Sequence, residues 1–293
     1  MVFVGGLTNS CPPRRSCPRK KRMIGLGPLQ GAGGGAEFLL YHMRPIFISG
    51  IGTGVGKTLV SAVLAEAFQA DYWKPIQAGI DNGTDTEWIR TAISNPKTVI
   101  YPERYRFAMA ASPHIAARQE GIEISLDALQ AAFEDICRQK RERIRQEGLP
   151  IGQGGISQTA DSSDLCQELV IIEGAGGLLV PINRDQTVLD LIRQLDAQVV
   201  LVSRNYLGSI NHSLLTARIC QAAGISVLGW VFNDHYLDYE SEIASWTGLP
   251  ILASLPYCWQ PDRSFVSDQA RIHGPALNRG MLTGTPAGRI DIP

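Results

Sequence analysis

The chain has 293 residues, 44% apolar and 19% charged, with 30 Gly, 17 Pro and 6 Cys; 27 basic and 28 acidic side chains leave a net charge of −1. Such a length and apolar content suffice for a sizeable core and exclude intrinsic disorder, a collagen repeat and a disulfide scaffold. Near-neutrality also removes the electrostatic case for a nucleic-acid binder, which needs a basic surface to displace counterions.

The charge is unevenly distributed. Residues 1–43 carry Arg14, Arg15, Arg19, Lys20, Lys21 and Arg22 against Glu37, a net of +5, so the remainder holds −6. This leader shows no helical or strand period, is broken by Gly and Pro, and reads as disordered. A secretory signal would follow its basic cluster with an apolar stretch of about 7–15 residues, and none is present. A transit peptide fits the scarcity of acids but not the modest Ser content. A misplaced start, with Met43 as the true first residue, is favoured because MRPIFISG enters a strand at once.

From residue 44 onward, short apolar runs alternate with helical patterns. Pro45–Ser49 reads as a strand, Thr58–Phe68 as a helix, Tyr72–Lys74 as a strand end and Glu87–Ile93 as a short helix. Pro113–Gln119 and Leu126–Arg145 follow as helices, the Arg138–Arg145 run reading as a solvated face. Leu169–Ile172, Val199–Val202, Val227–Phe232 and Ile251–Leu255 read as buried strands, with helices at Val188–Leu195, Ser209–Ala223 and Tyr239–Thr247 between them. Near-continuous Val/Ile/Leu strands separated by helices predict one α/β domain over residues 44–258, a parallel sheet with helices on both faces. The Gly-, Ser- and Gln-rich stretch 148–165 reads as a surface loop and residues 259–293 as a loose tail.

The six cysteines lack C-x-x-C or His-rich spacing, which disfavours disulfide and metal frameworks and suits a reducing compartment. No apolar run reaches the roughly 18 residues of a spanning helix, so a soluble cytoplasmic protein without membrane contact is expected.

The chemistry is concentrated at strand ends. The first strand runs into Gly50-Ile-Gly-Thr-Gly-Val-Gly-Lys-Thr58 and then a helix. Glycines let the loop turn its N–H groups toward phosphate oxygens, the helix N-terminus adds partial positive charge, Lys57 reaches the β/γ phosphates and Thr58 suits Mg²⁺. The spacing is G-x₅-G-K-T from Gly50, one residue longer than the common pattern, because position 51 is Ile. Lys74-Pro-Ile-Gln-Ala-Gly79 follows the second strand, and Glu173-Gly-Ala-Gly-Gly177 leaves a buried strand where a carboxylate can meet Mg²⁺ or water.

Taken together, GTGVGKT, KPIQAG, SPHIAARQEG, EGAGG, LGSINHSLLTA and GWVFND occur in the order found in dethiobiotin synthetases, and the chain resembles that family over about residues 45–256. The resemblance implies a P-loop NTPase-like fold and a ring-closing ligase. In that family 7,8-diaminononanoate and CO₂ give a carbamate, ATP phosphorylates it to a mixed anhydride, and the second amine closes a cyclic urea with release of phosphate.

By matching position, Thr53, Gly54, Val55, Gly56, Lys57 and Thr58 would hold the triphosphate, and Lys57 and Lys74 would contact the carbamate and the transferring phosphoryl group. Thr58, Asp85 and Glu173 would ligate Mg²⁺, and Asn233 would contact adenine. Gly208, Ser209, Ile210 and Asn211 would hold the diamine carboxylate at a helix N-terminus reaching the partner's site in a homodimer. Two departures stand out: Gly52 replaces a family Asp, and Ala78 replaces Ser or Thr, leaving Gln77 as the neighbouring candidate for a substrate contact. His114 reads as a hydrogen bonder that orders its loop rather than a base, His212 as packing at a helix start, and Trp230 as core. The rivals are the ATPase of a cobyrinate-type amidotransferase, for which about 35 residues after Pro256 hold no glutaminase, and a partitioning ATPase, whose early P-loop Lys is absent from Gly50–Gly54.

Overall fold

The computed structural model describes residues 45–81, 83–147 and 169–282. The leader at 1–43 and the loop expected at 148–165 lie outside the described residues.

Strand β1 (Ile46–Gly50), helix α1 (Lys57–Phe68), strand β2 (Asp71–Trp73) and helix α2 (Asp85–Ala92) fall where the hydrophobic pattern puts them, with β3 (Ile76–Ala78) between the last two. Strands β4 (Ile100–Tyr101) and β5 (Tyr105–Phe107) precede helices α3 (Pro113–Gln119) and α4 (Leu126–Gln146). Next come β6 (Val170–Gly177), α5 (Val188–Gln194), β7 (Gln198–Arg204), α6 (Ser209–Ala222), β8 (Val227–Asn233), α7 (Tyr239–Thr247), β9 (Ile251–Leu255) and α8 (Arg263–Leu282).

Seven strands form a parallel sheet in the order β4-β2-β6-β1-β7-β8-β9, and β3 pairs with β5 in a small parallel ribbon. Successive strand residues face opposite sides, and the core divides accordingly. Ile46, Ile48, Tyr72, Ile171, Val200 and Val202 meet α1, α2 and α8 on one face; Phe47, Trp73, Ile172, Leu201 and Trp230 meet α3 to α7 on the other. This is the expected α/β sheet covered on both faces, with the glycine-rich loop between β1 and α1. The chain leaves β1 for β2, which lies beyond β6, and later returns to β7 on the other side of β1. The carboxyl ends of β1 and β6 therefore border the crevice where open parallel sheets bind ligands.

Two expectations change. Within the expected loose tail, residues 263–282 form helix α8, whose Val266, Ala270 and Leu277 are buried against the face that carries α1. Gly274 and Pro275 interrupt its sequence pattern, but burial of the apolar stripe, about 1.5–3 kcal/mol for each large side chain, outweighs their poor propensity. The basic run on α4 is not simply a solvated face: Lys140 is 1% exposed, and Lys140 and Arg143 both pair with Asp71, which is fully buried. Tyr101 donates to the same carboxylate at 3.1 Å. The short strands β3 to β5 are not expected from sequence, because each carries too few residues for a period to register.

Candidate active site

A cavity of about 670 Å³ opens at the carboxyl ends of β1, β2 and β6, lined by Thr53, Gly54, Gly56, Lys57, Thr58, Lys74, Gln77, Ala78, Asp85 and Glu173 among others. It brings together most of the residues singled out from sequence. The glycine-rich loop enters α1 through Gly56, whose φ of 95° is left-handed. A side chain there would be both strained and blocked, since a Cβ would lie 2.0 Å from Asn233 Nδ2. Gly177, at the end of β6, lets the two loops approach, because its Cβ would stand 3.2 Å from the Gly50 carbonyl.

Lys57 is almost fully buried and donates to the Gly52 carbonyl of its own loop at 2.7 Å. Burial pulls its ammonium down to about 8; Glu173 opposes that shift, Lys74 adds to it, and Asp85 opposes it. One helical position on, the Thr58 hydroxyl lies 3.0 Å from Asp85 Oδ1 and 2.9 Å from Glu173 Oε1. Lys74 Nζ joins the same carboxylates, at 2.9 Å from Glu173 Oε1 and in contact with Asp85 Oδ2. Burial works against the Lys74 charge, but Glu173 and Asp85 outweigh it and hold the ammonium above the usual lysine value. Burial likewise opposes the charge on Asp85, and Lys74 more than compensates, so that carboxyl sits below its ordinary range.

Local structure explains how Asp85 arrives there. It opens α2, which a capping box secures: the Thr84 hydroxyl accepts from Glu87 N–H, and the Glu87 carboxylate accepts from Thr84 N–H. Glu173 lies within β6 rather than after it, because that strand continues through the EGAGG segment.

The donor set suits a hard divalent cation. One Thr58 proton cannot satisfy two carboxylate oxygens, so three oxygens crowd around a position that Lys74 touches directly and Lys57 influences from farther off. Among the described residues no group of three or more His, Cys, Asp or Glu forms a metal cage. A cation held by two carboxylates and a hydroxyl must complete its shell with phosphate oxygens and water, as Mg²⁺ does in nucleotide sites.

Other residues distribute less uniformly. Gln77 is 6% exposed; its Nε2 donates to the Gly79 carbonyl at 2.9 Å, while its Oε1 is buried without a partner. Ala78 presents only a methyl to the cavity. Asn233 Nδ2 donates to the Val55 carbonyl at 3.2 Å and so braces the loop. Gly208, Ser209, Ile210 and Asn211 begin α6 but do not line the cavity; Ser209 is buried and its hydroxyl accepts from Tyr206 N–H at 3.3 Å. His114 borders a separate cavity of about 440 Å³, its Nδ1 buried without a partner. His212 is exposed and hydrogen-bonds the Tyr206 hydroxyl at 2.7 Å, whereas Trp230 is fully buried and donates to Thr247.

A family model described as an AAA domain matches residues 44–263. The ATP-dependent dethiobiotin synthetase BioD of Cytophaga hutchinsonii is 48% identical over 191 residues, 65% of this chain and 77% of its own length. The synthetase of the same name from Rhodopseudomonas palustris strain BisB18 is 37% identical over 72% of this chain and 86% of its own. The chain belongs to the dethiobiotin synthetase family. Another synthetase relative, from Novosphingobium aromaticivorans, is 34% identical and aligns over 92% of its own length. Among solved structures, a ParA family ATPase from Chlorobium tepidum aligns over 80% of this chain at 12% identity and a TM-score of 0.45.

One residue of this synthetase site was not visible in the sequence. Tyr72, fully buried on β2, donates its hydroxyl to Glu173 Oε2 at 2.9 Å. Burial, and then the charge of Glu173, hold its phenol well above the ordinary value. The signal would have been the period-2 spacing that places Tyr72 and Lys74 on one face of the strand.

Proposed function

We propose that this chain is an ATP- and Mg²⁺-dependent ligase that closes 7,8-diaminononanoate and CO₂ into dethiobiotin, with release of ADP and phosphate. The observation that carries this reading is the convergence of Lys57, Thr58, Lys74, Asp85 and Glu173 on one cavity at the carboxyl ends of the parallel strands. The synthetase names of the relatives supply the substrate, and they lend nothing to the amidotransferase or partitioning-ATPase rivals.

The first amine adds to CO₂ and loses a proton, giving a carbamate. Its oxygen takes the γ-phosphoryl group of ATP as ADP departs, and the second amine then attacks the carbamoyl carbon and expels phosphate. The protein's part is positioning and charge neutralisation. Lys57 leaves the Gly52 carbonyl for the phosphates, and the loop amides from Thr53 to Thr58 hold the triphosphate. Thr58, Asp85 and Glu173 would hold Mg²⁺, which would supply charge compensation to the triphosphate. Lys74 then holds the carbamate oxygen and the phosphoryl group in transit. Asn233 contacts the adenine with the part of its amide that Val55 does not engage.

Gln77 offers the diamine a fixed acceptor. Its amide nitrogen is tied to Gly79 and its Oε1 is buried without a partner, so Oε1 is the atom left to accept an amine N–H, in place of the hydroxyl that Ala78 lacks. Gly208 to Asn211 serve the cavity of a second copy, the start of α6 holding the diamine carboxylate. Exposed Tyr206, Leu207 and Leu215 beside that helix start fit such a homodimer contact.

The test is ADP release with and without 7,8-diaminononanoate and bicarbonate. Release that requires both, with dethiobiotin found by mass spectrometry, is expected; diamine-independent turnover, or none with both present, overturns the assignment.

A further inference from the structure

The two oxygens of Glu173 face different surroundings. Oε1 stands on the cavity side, 2.9 Å from both the Thr58 hydroxyl and Lys74 Nζ. Oε2 accepts the Tyr72 hydroxyl at 2.9 Å. Tyr72 pairs in register with Ile171 on the neighbouring strand, so it shares a sheet face with Glu173 and stands diagonally across from it. It does not line the cavity; it belongs to the apolar cluster that contains Ile48, Val60 and Ile171. A phenol in that setting cannot follow a moving carboxylate. An ionised carboxylate has no proton to return, so the hydrogen bond runs in one direction and its loss would leave a buried oxygen unpaired.

Each carboxylate oxygen can accept more than once, but a hydroxyl fixed outside the cavity holds Oε2 toward the apolar cluster and leaves Oε1 to face a cation. That matters because the two common hard cations differ: Mg²⁺ takes single oxygens in a tight octahedron, whereas Ca²⁺ accepts six to eight oxygens and readily takes both from one carboxylate. We propose that Tyr72 is a positioning residue that restricts Glu173 to one ligating oxygen and thereby sets the preference of this site for Mg²⁺ over Ca²⁺. The inference rests on the reading of Thr58, Asp85 and Glu173 as the Mg²⁺ site.

The test uses Tyr72→Phe, which keeps the ring and removes only the donor. Mn²⁺ bound to the protein with ADP is followed by electron paramagnetic resonance and displaced separately by Mg²⁺ and by Ca²⁺. Loss of a partner that orients a metal ligand weakens binding by about 10–100-fold. Mg²⁺ affinity should therefore fall about tenfold while Ca²⁺ affinity holds or rises, and the Mg²⁺/Ca²⁺ ratio should fall by at least about tenfold. An equal loss for both ions, as general loosening would give, or an unchanged ratio overturns the inference. Tyr72→Met also lacks the donor and is held to the same ratio should the phenylalanine variant not fold. A wild-type protein that retains Mn²⁺ yet shows no ratio change on substitution refutes Tyr72 alone; one that retains no Mn²⁺ refutes the metal site itself.

Discussion

Replacing Lys74 with methionine keeps the length of the side chain and removes its charge. Lys74 is 5% exposed, and its ammonium joins Glu173 Oε1, 2.9 Å away, to Asp85. Removing one partner of a buried pair costs roughly 3–5 kcal/mol. Asp85 is 35% exposed on its side chain, so water relieves part of that and about 3 kcal/mol is expected. For a domain of this size each kcal/mol moves Tm by about 2–4 °C, so Lys74→Met should melt roughly 6–12 °C lower in EDTA. Millimolar Mg²⁺ should restore more of that loss in the variant than it adds to wild type, because the two carboxylates then lack the ammonium that touches them both. Nucleotide affinity, carried by Lys57 and the loop amides, should stay within a few-fold by calorimetry. Turnover in the ADP-release assay should fall by about 10²–10³ or more, the size of effect seen when one donor to transition-state charge is removed. A variant that loses nucleotide affinity while turning over normally at saturating ATP, or one that melts like wild type in EDTA, would refute the placement of Lys74 between metal site and substrate.

Burial holds the Lys57 ammonium down to about 8, and phosphates favour its charged form, so ATP binding between pH 8 and 9 should take up a proton and weaken as pH rises. Calorimetry in two buffers of different ionisation enthalpy reads this directly, and zero or negative proton uptake at pH 8.5 contradicts it. Gln77→Leu should raise KM for the diamine about tenfold, the worth of one hydrogen bond, and leave ATP affinity unchanged; an unaltered KM removes Gln77 from the substrate contacts. Leu277→Ala should cost about 2–5 kcal/mol in urea unfolding because Leu277 is 1% exposed, whereas a loss below about 0.5 kcal/mol would mean that α8 does not seal the α1 face.

Legibility in the sequence followed distance along the chain. The β1–loop–α1 unit is contiguous, and its glycines, Lys57 and Thr58 carry a local geometry that spacing alone expresses; the Val/Ile/Leu strands announced a doubly covered parallel sheet for the same reason. Lys74 and Glu173 stood out at strand ends and Asp85 came from resemblance, but their meeting with Thr58 depends on contacts spanning 27 to 115 residues that no local pattern encodes. Helix α8 read as a tail because Gly274 and Pro275 weaken its propensity, and only the apolar face of α1 shows why it is helical. Lys140 and Arg143 looked like solvated charges until Asp71 was seen beneath them. Tyr72 read as one more strand residue, since its chemistry exists only where β2 and β6 bring its hydroxyl to a carboxylate 101 residues away. Sequence by itself determined the nucleotide loop and the class of sheet, because both are written in adjacent residues. Tertiary structure decided which charges face one another, because pairing across strands is a property of the assembled sheet.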